Sequence, residues 1–105
     1  MPHYAAAKSA LHGLARTIAW DAGRDGVLVN VAAVGFTRTP TNSERFGPEL
    51  FARAGALTPQ RRVSEAADVA ELLCWLASPQ NLSVTGEVIR EGTSAARTPL
   101  VALNH

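Results

Sequence analysis

Between Gly26 and Gly35 runs Val27-Leu28-Val29-Asn30-Val31-Ala32-Ala33-Val34, a segment that is apolar on both faces and rich in β-branched residues. Such a run has the pattern of a strand covered on both sides of a parallel sheet. A parallel neighbour has to be reached by a right-handed crossover, usually through a helix. This one segment therefore commits the chain to an α/β layout. Asn30 is its polar exception, and a buried asparagine needs hydrogen-bond partners, so Asn30 is expected to tie the strand to a loop.

Helical patterns stand on either side of the strand. From about Tyr4 to Ala22, the positions Ala7, Leu11, Leu14, Ala15, Ile18 and Ala22 form one apolar stripe at spacings of three and four. Alanine is dense here, which favours helix and allows close packing. Gly23 and Gly26 end the helix. Phe36 to Pro59 is the least regular stretch, broken by Pro40, Gly47-Pro48, Gly55 and Pro59. Glu49 to Ala54 suggests a short helix with Phe46, Leu50 and Phe51 turned inward, and a segment this long beside a buried strand often serves as a lid or binding loop. Ser64 then takes the place of an N-cap, with Glu65 and Asp68 in the first turn. Val69, Leu72, Leu73 and Leu76 form the apolar face of the next helix, and Ser78-Pro79 closes it. Asn81 to Gly86 is a turn, and Val88-Ile89 a second strand. The order is helix, strand, irregular segment, helix, strand, expected to form a single domain over residues 1–105 with a loosely ordered tail at 93–105.

Composition narrows the function classes. The net charge of +1 gives no electrostatic basis for binding nucleic acid or an acidic membrane surface. No apolar run approaches the roughly 20 residues of a membrane span. His3, His12 and His105 are not paired with cysteine or carboxylate at ligand spacing, so no metal site is indicated. The single cysteine, Cys74, cannot form an internal disulfide. It agrees with a reducing cytoplasm, the expected compartment, and is expected to be a small core residue.

Tyr4 and Lys8 are spaced i, i+4 on the first helix, so their side chains can meet on one face. An ammonium beside a phenol favours the phenolate, and a tyrosine so placed can act as a general acid or base. Spacing alone makes a solvated pair the commoner case. The surrounding residues change the weight. Tyr4-Ala5-Ala6-Ala7-Lys8-Ser9-Ala10-Leu11-His12-Gly13-Leu14 resembles the Tyr-x-x-x-Lys helix of the short-chain dehydrogenases/reductases. In the same order, residues 26–35 are similar to the strand that follows that helix. Phe36-Thr37-Arg38-Thr39-Pro40 matches the next loop, with its threonine at Thr39. Residues 62–70 resemble the start of the following helix, and Thr85-Gly86 the turn before the last strand. The resemblance covers about residues 2–92.

The resemblance implies the C-terminal portion of a Rossmann-like doubly wound fold and an NAD- or NADP-dependent oxidoreductase acting on a small carbonyl or alcohol substrate. It makes Tyr4 the proton donor and acceptor, and gives Lys8 the nicotinamide ribose hydroxyls. It puts the backbone near Gly35 and Thr37, with the Thr39 hydroxyl, on the nicotinamide carboxamide. Thr39 to Pro59 would cover the substrate, and Phe46, Leu50, Phe51 and Leu57 there suit either an apolar substrate or the protein's own packing.

Two departures stand out: Val34 replaces the proline of the usual Pro-Gly, and Glu91-Gly92-Thr93 stands where an acidic residue and two glycines are usual. The family's phosphate-binding half precedes the tyrosine, and no Gly-x-Gly-x-x-Gly occurs in these residues. The chain is accordingly expected to be truncated and inactive alone, working as a homo-oligomer or with a complementary half. The alternatives are a non-catalytic oligomerisation fragment, which would keep the family's subunit-contact surfaces, and a remnant without function. With an unpaired edge on the Val27–Val34 strand and the first helix's stripe short of cover, the isolated chain is expected either to associate through these surfaces or to fold poorly.

Overall fold

The computed structural model describes residues 2–92. The chain divides into two compact units, Met1–Ala33 with Leu73–Ile89, and Val34–Leu72 with Arg90–His105. The expected tail, 93–105, lies outside the described residues. No described helix is long and apolar enough to cross a membrane.

The first unit opens with helix α1, Pro2–Ala22. Its alanine content sustains 21 residues of helix, and proline is tolerated at the start because the first turn's N–H groups have no intrahelical partner. A short 3-10 turn, Gly23–Asp25, follows, and Gly26 closes it at φ 77°, a left-handed cap that glycine adopts without strain. Only Ala15 and Ala19 of α1 are buried, while Leu11, Leu14 and Ile18 are exposed. The expected apolar stripe is therefore uncovered along most of its length, because only small residues near its C-terminal half meet the rest of the unit.

Strand β1 spans Val31–Val34 and is hydrogen-bonded to β4, Val88–Glu91. The Gly86 N–H donates to the Val29 carbonyl (2.7 Å) and the Val31 N–H to the Glu87 carbonyl (2.9 Å). Partner numbers rise together, so the two segments run parallel. The strand is shorter than the Val27–Val34 run, since Val29 donates its N–H to the Thr85 hydroxyl (2.9 Å) and so meets a turn rather than a ladder. It is also half-buried rather than enclosed on both faces, with Val27 and Val34 exposed. Asn30 does tie strand to loop: its Nδ2 donates to the Val84 carbonyl (2.8 Å) and its Oδ1 accepts from the Glu87 N–H (3.2 Å). The turn itself is organised by buried Asn81. Its Nδ2 donates to the Leu76 and Val84 carbonyls (3.0 and 3.1 Å), and its Oδ1 accepts from the Val84 N–H (2.9 Å).

The second unit carries β2 (Thr37–Arg38), α2 (Pro40–Arg45), α3 (Pro48–Ala56) and β3 (Ser64–Glu65). The two short strands pair in parallel, Thr37 with Ser64 and Arg38 with Glu65, and the second pair adds a cross-strand ion pair at 3.1 Å. Their core is aromatic. Phe51 is 4 % exposed and stacks on Phe36 with ring centroids 5.1 Å apart; Phe46 meets Phe36 edge-on at 5.6 Å. The Arg38 guanidinium covers the Phe51 ring at 4.3 Å. A Cβ on Gly55 would come within 2.9 Å of the Arg62 Cα, so only glycine lets the end of α3 meet the Arg62-Val63 backbone.

Helix α4, Ala66–Leu76, follows β3. Ser64 is not its cap, because it belongs to β3 and spends its hydroxyl on the Glu91 carboxylate (2.5 Å). Asp68 serves the helix start, reaching back to accept from the Glu65 N–H (2.8 Å) as the return half of a capping box does. Val69, Leu72 and Leu76 are half-buried and Leu73 is exposed. Cys74 is exposed too, not a core residue, because its side of the helix is uncovered by any described residue.

Candidate active site

Helix α1 presents Tyr4 and Lys8 one turn apart on the same side. Both are exposed, and the Lys8 Nζ lies 5.7 Å from the centroid of the Tyr4 ring. That is a cation–π distance, with the charge over the ring rather than hydrogen-bonded to the phenol oxygen. Among the described residues, the Tyr4 hydroxyl has no hydrogen-bond partner and the Lys8 ammonium no carboxylate partner. The pair thus offers a proton-bearing oxygen and a cation, both open to an incoming molecule. The first unit also holds an open cleft of about 650 Å³ lined by Arg16, Trp20, Arg24 and Glu87 among others, but neither Tyr4 nor Lys8 lines it.

Gly35, Thr37 and Thr39 belong to the second unit, and there they form one hydrogen-bonded segment. The Gly35 N–H donates to the Glu91 carbonyl (2.8 Å), and its own carbonyl accepts from the Thr37 hydroxyl (2.9 Å). A Cβ at Gly35 would come within 2.8 Å of the Gly92 carbonyl carbon, so the close approach of two backbones fixes glycine there. Thr37 is buried, at the head of β2. Thr39 is the N-cap of α2: its Oγ1 accepts from the Asn42 N–H (3.1 Å), and Pro40 takes the first helical position. Its hydroxyl proton has no acceptor among the described residues.

Two contributors escape a reading of sequence alone. Asn42 donates its side-chain N–H to the Thr37 carbonyl (2.8 Å). Ser64, with Glu91, holds the end of the same unit. Of the apolar candidates for a substrate surface, Phe51 is core, Phe46 and Leu50 are half-buried, and Leu57 is exposed.

Besides the Arg38–Glu65 pair, a second ion pair lies in this unit. Arg62 and Asp68 meet at 2.9 Å. The Arg62 guanidinium, helped by the Glu65 N–H, holds the Asp68 carboxyl below its ordinary range, and Asp68 in turn raises Arg62.

Helices and parallel strands in one short chain give it a Rossmann-like α/β character. Comparison with known proteins agrees. A family model described as enoyl-(acyl carrier protein) reductase matches residues 1–90. An uncharacterised short-chain type dehydrogenase/reductase of Sinorhizobium fredii is 36 % identical over 88 residues, covering 84 % of this chain and 35 % of that protein. For 3beta-hydroxysteroid dehydrogenase 1 of Eggerthella lenta the identity is 39 % over 92 residues, with the same two shares of 84 % and 35 %. The crystal structure of a 3-oxoacyl-(acyl-carrier protein) reductase from Brucella melitensis superposes with a TM-score of 0.75 at 36 % identity, over 84 % of this chain and 32 % of that one. A reductase of that name from the same organism with bound NAD gives 0.71 at 36 % identity, over 84 % and 31 %. The chain belongs to the short-chain dehydrogenase/reductase family. It spans 35 % of the length of the curated relatives named here.

Proposed function

We propose that these residues supply the proton-transferring portion of an NAD(P)-dependent oxidoreductase that interconverts a carbonyl and an alcohol. The observation that carries the reading is the open Tyr4–Lys8 pair, 5.7 Å from ammonium to ring, in a chain matched by its family over residues 1–90. The chemistry of each unit by itself suits a nicotinamide cofactor: the first has a phenol and an ammonium with no competing partner among the described residues, and the second a Thr39 hydroxyl with a proton to donate. When bound, the cofactor supplies the hydride for reduction or takes it in oxidation. Tyr4 gives its hydroxyl proton to the oxygen of the carbonyl being reduced, and takes a proton from the alcohol in the reverse direction. Lys8 holds the ribose hydroxyls and offsets negative charge on the Tyr4 oxygen. Thr39 donates to the carboxamide, while Gly35 and Thr37, whose backbone and hydroxyl are paired with each other, shape the segment that presents it. The family's pyrophosphate-binding loop is not among these residues, so turnover requires that portion from elsewhere.

A chimera tests this. Residues 1–92 replace the matching part of the Brucella reductase, and NAD(P)H-dependent reduction of a carbonyl substrate is followed optically. Activity, with the KM for cofactor raised by Lys8→Met, is expected. A chimera that folds and binds NAD yet reduces nothing would reject the proposal.

The exposed Leu11, Leu14 and Ile18 of α1, 45 %, 54 % and 40 % accessible, favour a second reading in which the helix is an association surface, with or without turnover. Sedimentation of the chain should then show dimers or larger species. A monomer at high concentration, unchanged by Leu14→Glu, would remove that reading.

A further inference from the structure

We infer that Asn42 is a positioning residue for the cofactor-facing segment, setting where the Thr39 hydroxyl points. The inference rests on the proposed role of Thr37 and Thr39 and goes beyond it to a residue outside the Tyr-x-x-x-Lys helix and its matched loop.

The geometry is a double clasp. The Asn42 backbone N–H donates to the Thr39 Oγ1 at 3.1 Å, and its side-chain Nδ2 donates to the Thr37 carbonyl at 2.8 Å. One residue on the first turn of α2 thus grips the chain on both sides of Arg38. Thr37 is anchored in addition by its own hydroxyl on the Gly35 carbonyl (2.9 Å) and by its pairing with Ser64. The Thr39 hydroxyl has no such second anchor among the described residues. Because it accepts from Asn42, its remaining proton is directed away from the helix terminus. A hydroxyl can accept and donate at once, so capping leaves the donor function available. The hydrogen bond from Nδ2 fixes the distance between the β2 end and the α2 start, and hence the Thr39 backbone that carries the hydroxyl. Without Nδ2 the backbone cap remains, but the strand-to-helix corner loses its brace.

The chain itself, labelled for amide NMR, tests this with nicotinamide mononucleotide, the cofactor half that needs no pyrophosphate loop. In the unsubstituted chain, the backbone amide signals of Thr37 and Thr39 and the side-chain amide signals of Asn42 should shift on titration. In Asn42→Ala, which removes the whole side-chain amide, and in Asn42→Asp, which replaces only the donating Nδ2 and sets a carboxylate against the Thr37 carbonyl, the loop shifts should be lost. Thr58 and Val63 signals, in the same unit but away from the clasp, report that the unit stays folded. Asn42 variants that keep the full loop response would overturn the inference while leaving the cofactor reading intact. Absence of any response in the unsubstituted chain would overturn the cofactor reading and this inference with it. If Asn42→Ala disturbs Thr58 and Val63 as well, Asn42→Asp, which keeps the side chain's size, decides by the same criterion. If both disturb them, Asn42 braces the whole unit rather than the loop, and the inference fails.

Discussion

Replacing Phe51 by alanine probes what holds the second unit together. Phe51 is 4 % exposed, stacks on Phe36 at 5.1 Å and is capped by the Arg38 guanidinium at 4.3 Å. Truncating a buried phenylalanine costs about 3–5 kcal/mol, the sum of lost transfer energy and the cavity left behind. The aromatic pairing and the cation–π contact, each about 0.5–1.5 kcal/mol, fall within that cost and do not add to it. Small domains have total stabilities of about 5–15 kcal/mol, so this one change removes a large share. The effect should be local at first. Denaturant titration followed by circular dichroism should show a lower midpoint. Amide exchange should accelerate at Thr58, whose N–H bonds the Gly55 carbonyl (3.0 Å), more than at Val84, whose N–H bonds Asn81 in the first unit (2.9 Å). A loss below about 1 kcal/mol, or equal acceleration at both amides, would refute the aromatic cluster as the unit's core.

Asp68→Asn tests the paired charges through pH. The folded-state Asp68 carboxyl titrates below its ordinary value, because Arg62 and the Glu65 N–H favour the ionised form. Its contribution to stability is thus present above about pH 3.9 and lost as pH falls through the depressed folded value. Wild type should exceed the variant in denaturation midpoint near pH 7, and the gap should close in acid; a gap that widens in acid would contradict the pairing. Asn81→Ala should cost more than about 2 kcal/mol by thermal denaturation, since it strands the Leu76 and Val84 carbonyls and the Val84 N–H around a buried site. A cost within 0.5 kcal/mol of zero, roughly that of an ordinary surface change, would show that water replaces the side chain.

The parts legible in sequence are those carried by local periodicity. Helix α1 follows from its alanines, and Tyr4 and Lys8 come together because a single helix holds both. Asn30 was legible as the lone polar residue in an apolar run. Helix α2 was not, because Pro-Thr-Asn-Ser-Glu-Arg has no apolar stripe and is held by the Thr39 cap instead. Ser64 has the composition of a cap but the long-range partners of a strand residue, Thr37 and Glu91, which spacing cannot reveal. Cys74, Leu11 and Leu14 show the limit of amphipathic reasoning: it finds the face that needs cover, not whether the same chain supplies it. Asn42 was hidden for a similar reason, as its partners meet it only once the corner between β2 and α2 has formed.

The account depends most on the Tyr4 hydroxyl as the group that moves the proton. Single-turnover carbonyl reduction by the chimera, comparing Tyr4 with Tyr4→Phe at saturating cofactor, measures that oxygen alone. Loss of a general acid slows the step by about 10²–10⁴-fold, and this is the expected result, with cofactor affinity unchanged. Rates within about twofold of each other, far short of that range, would show that the proton travels by another route.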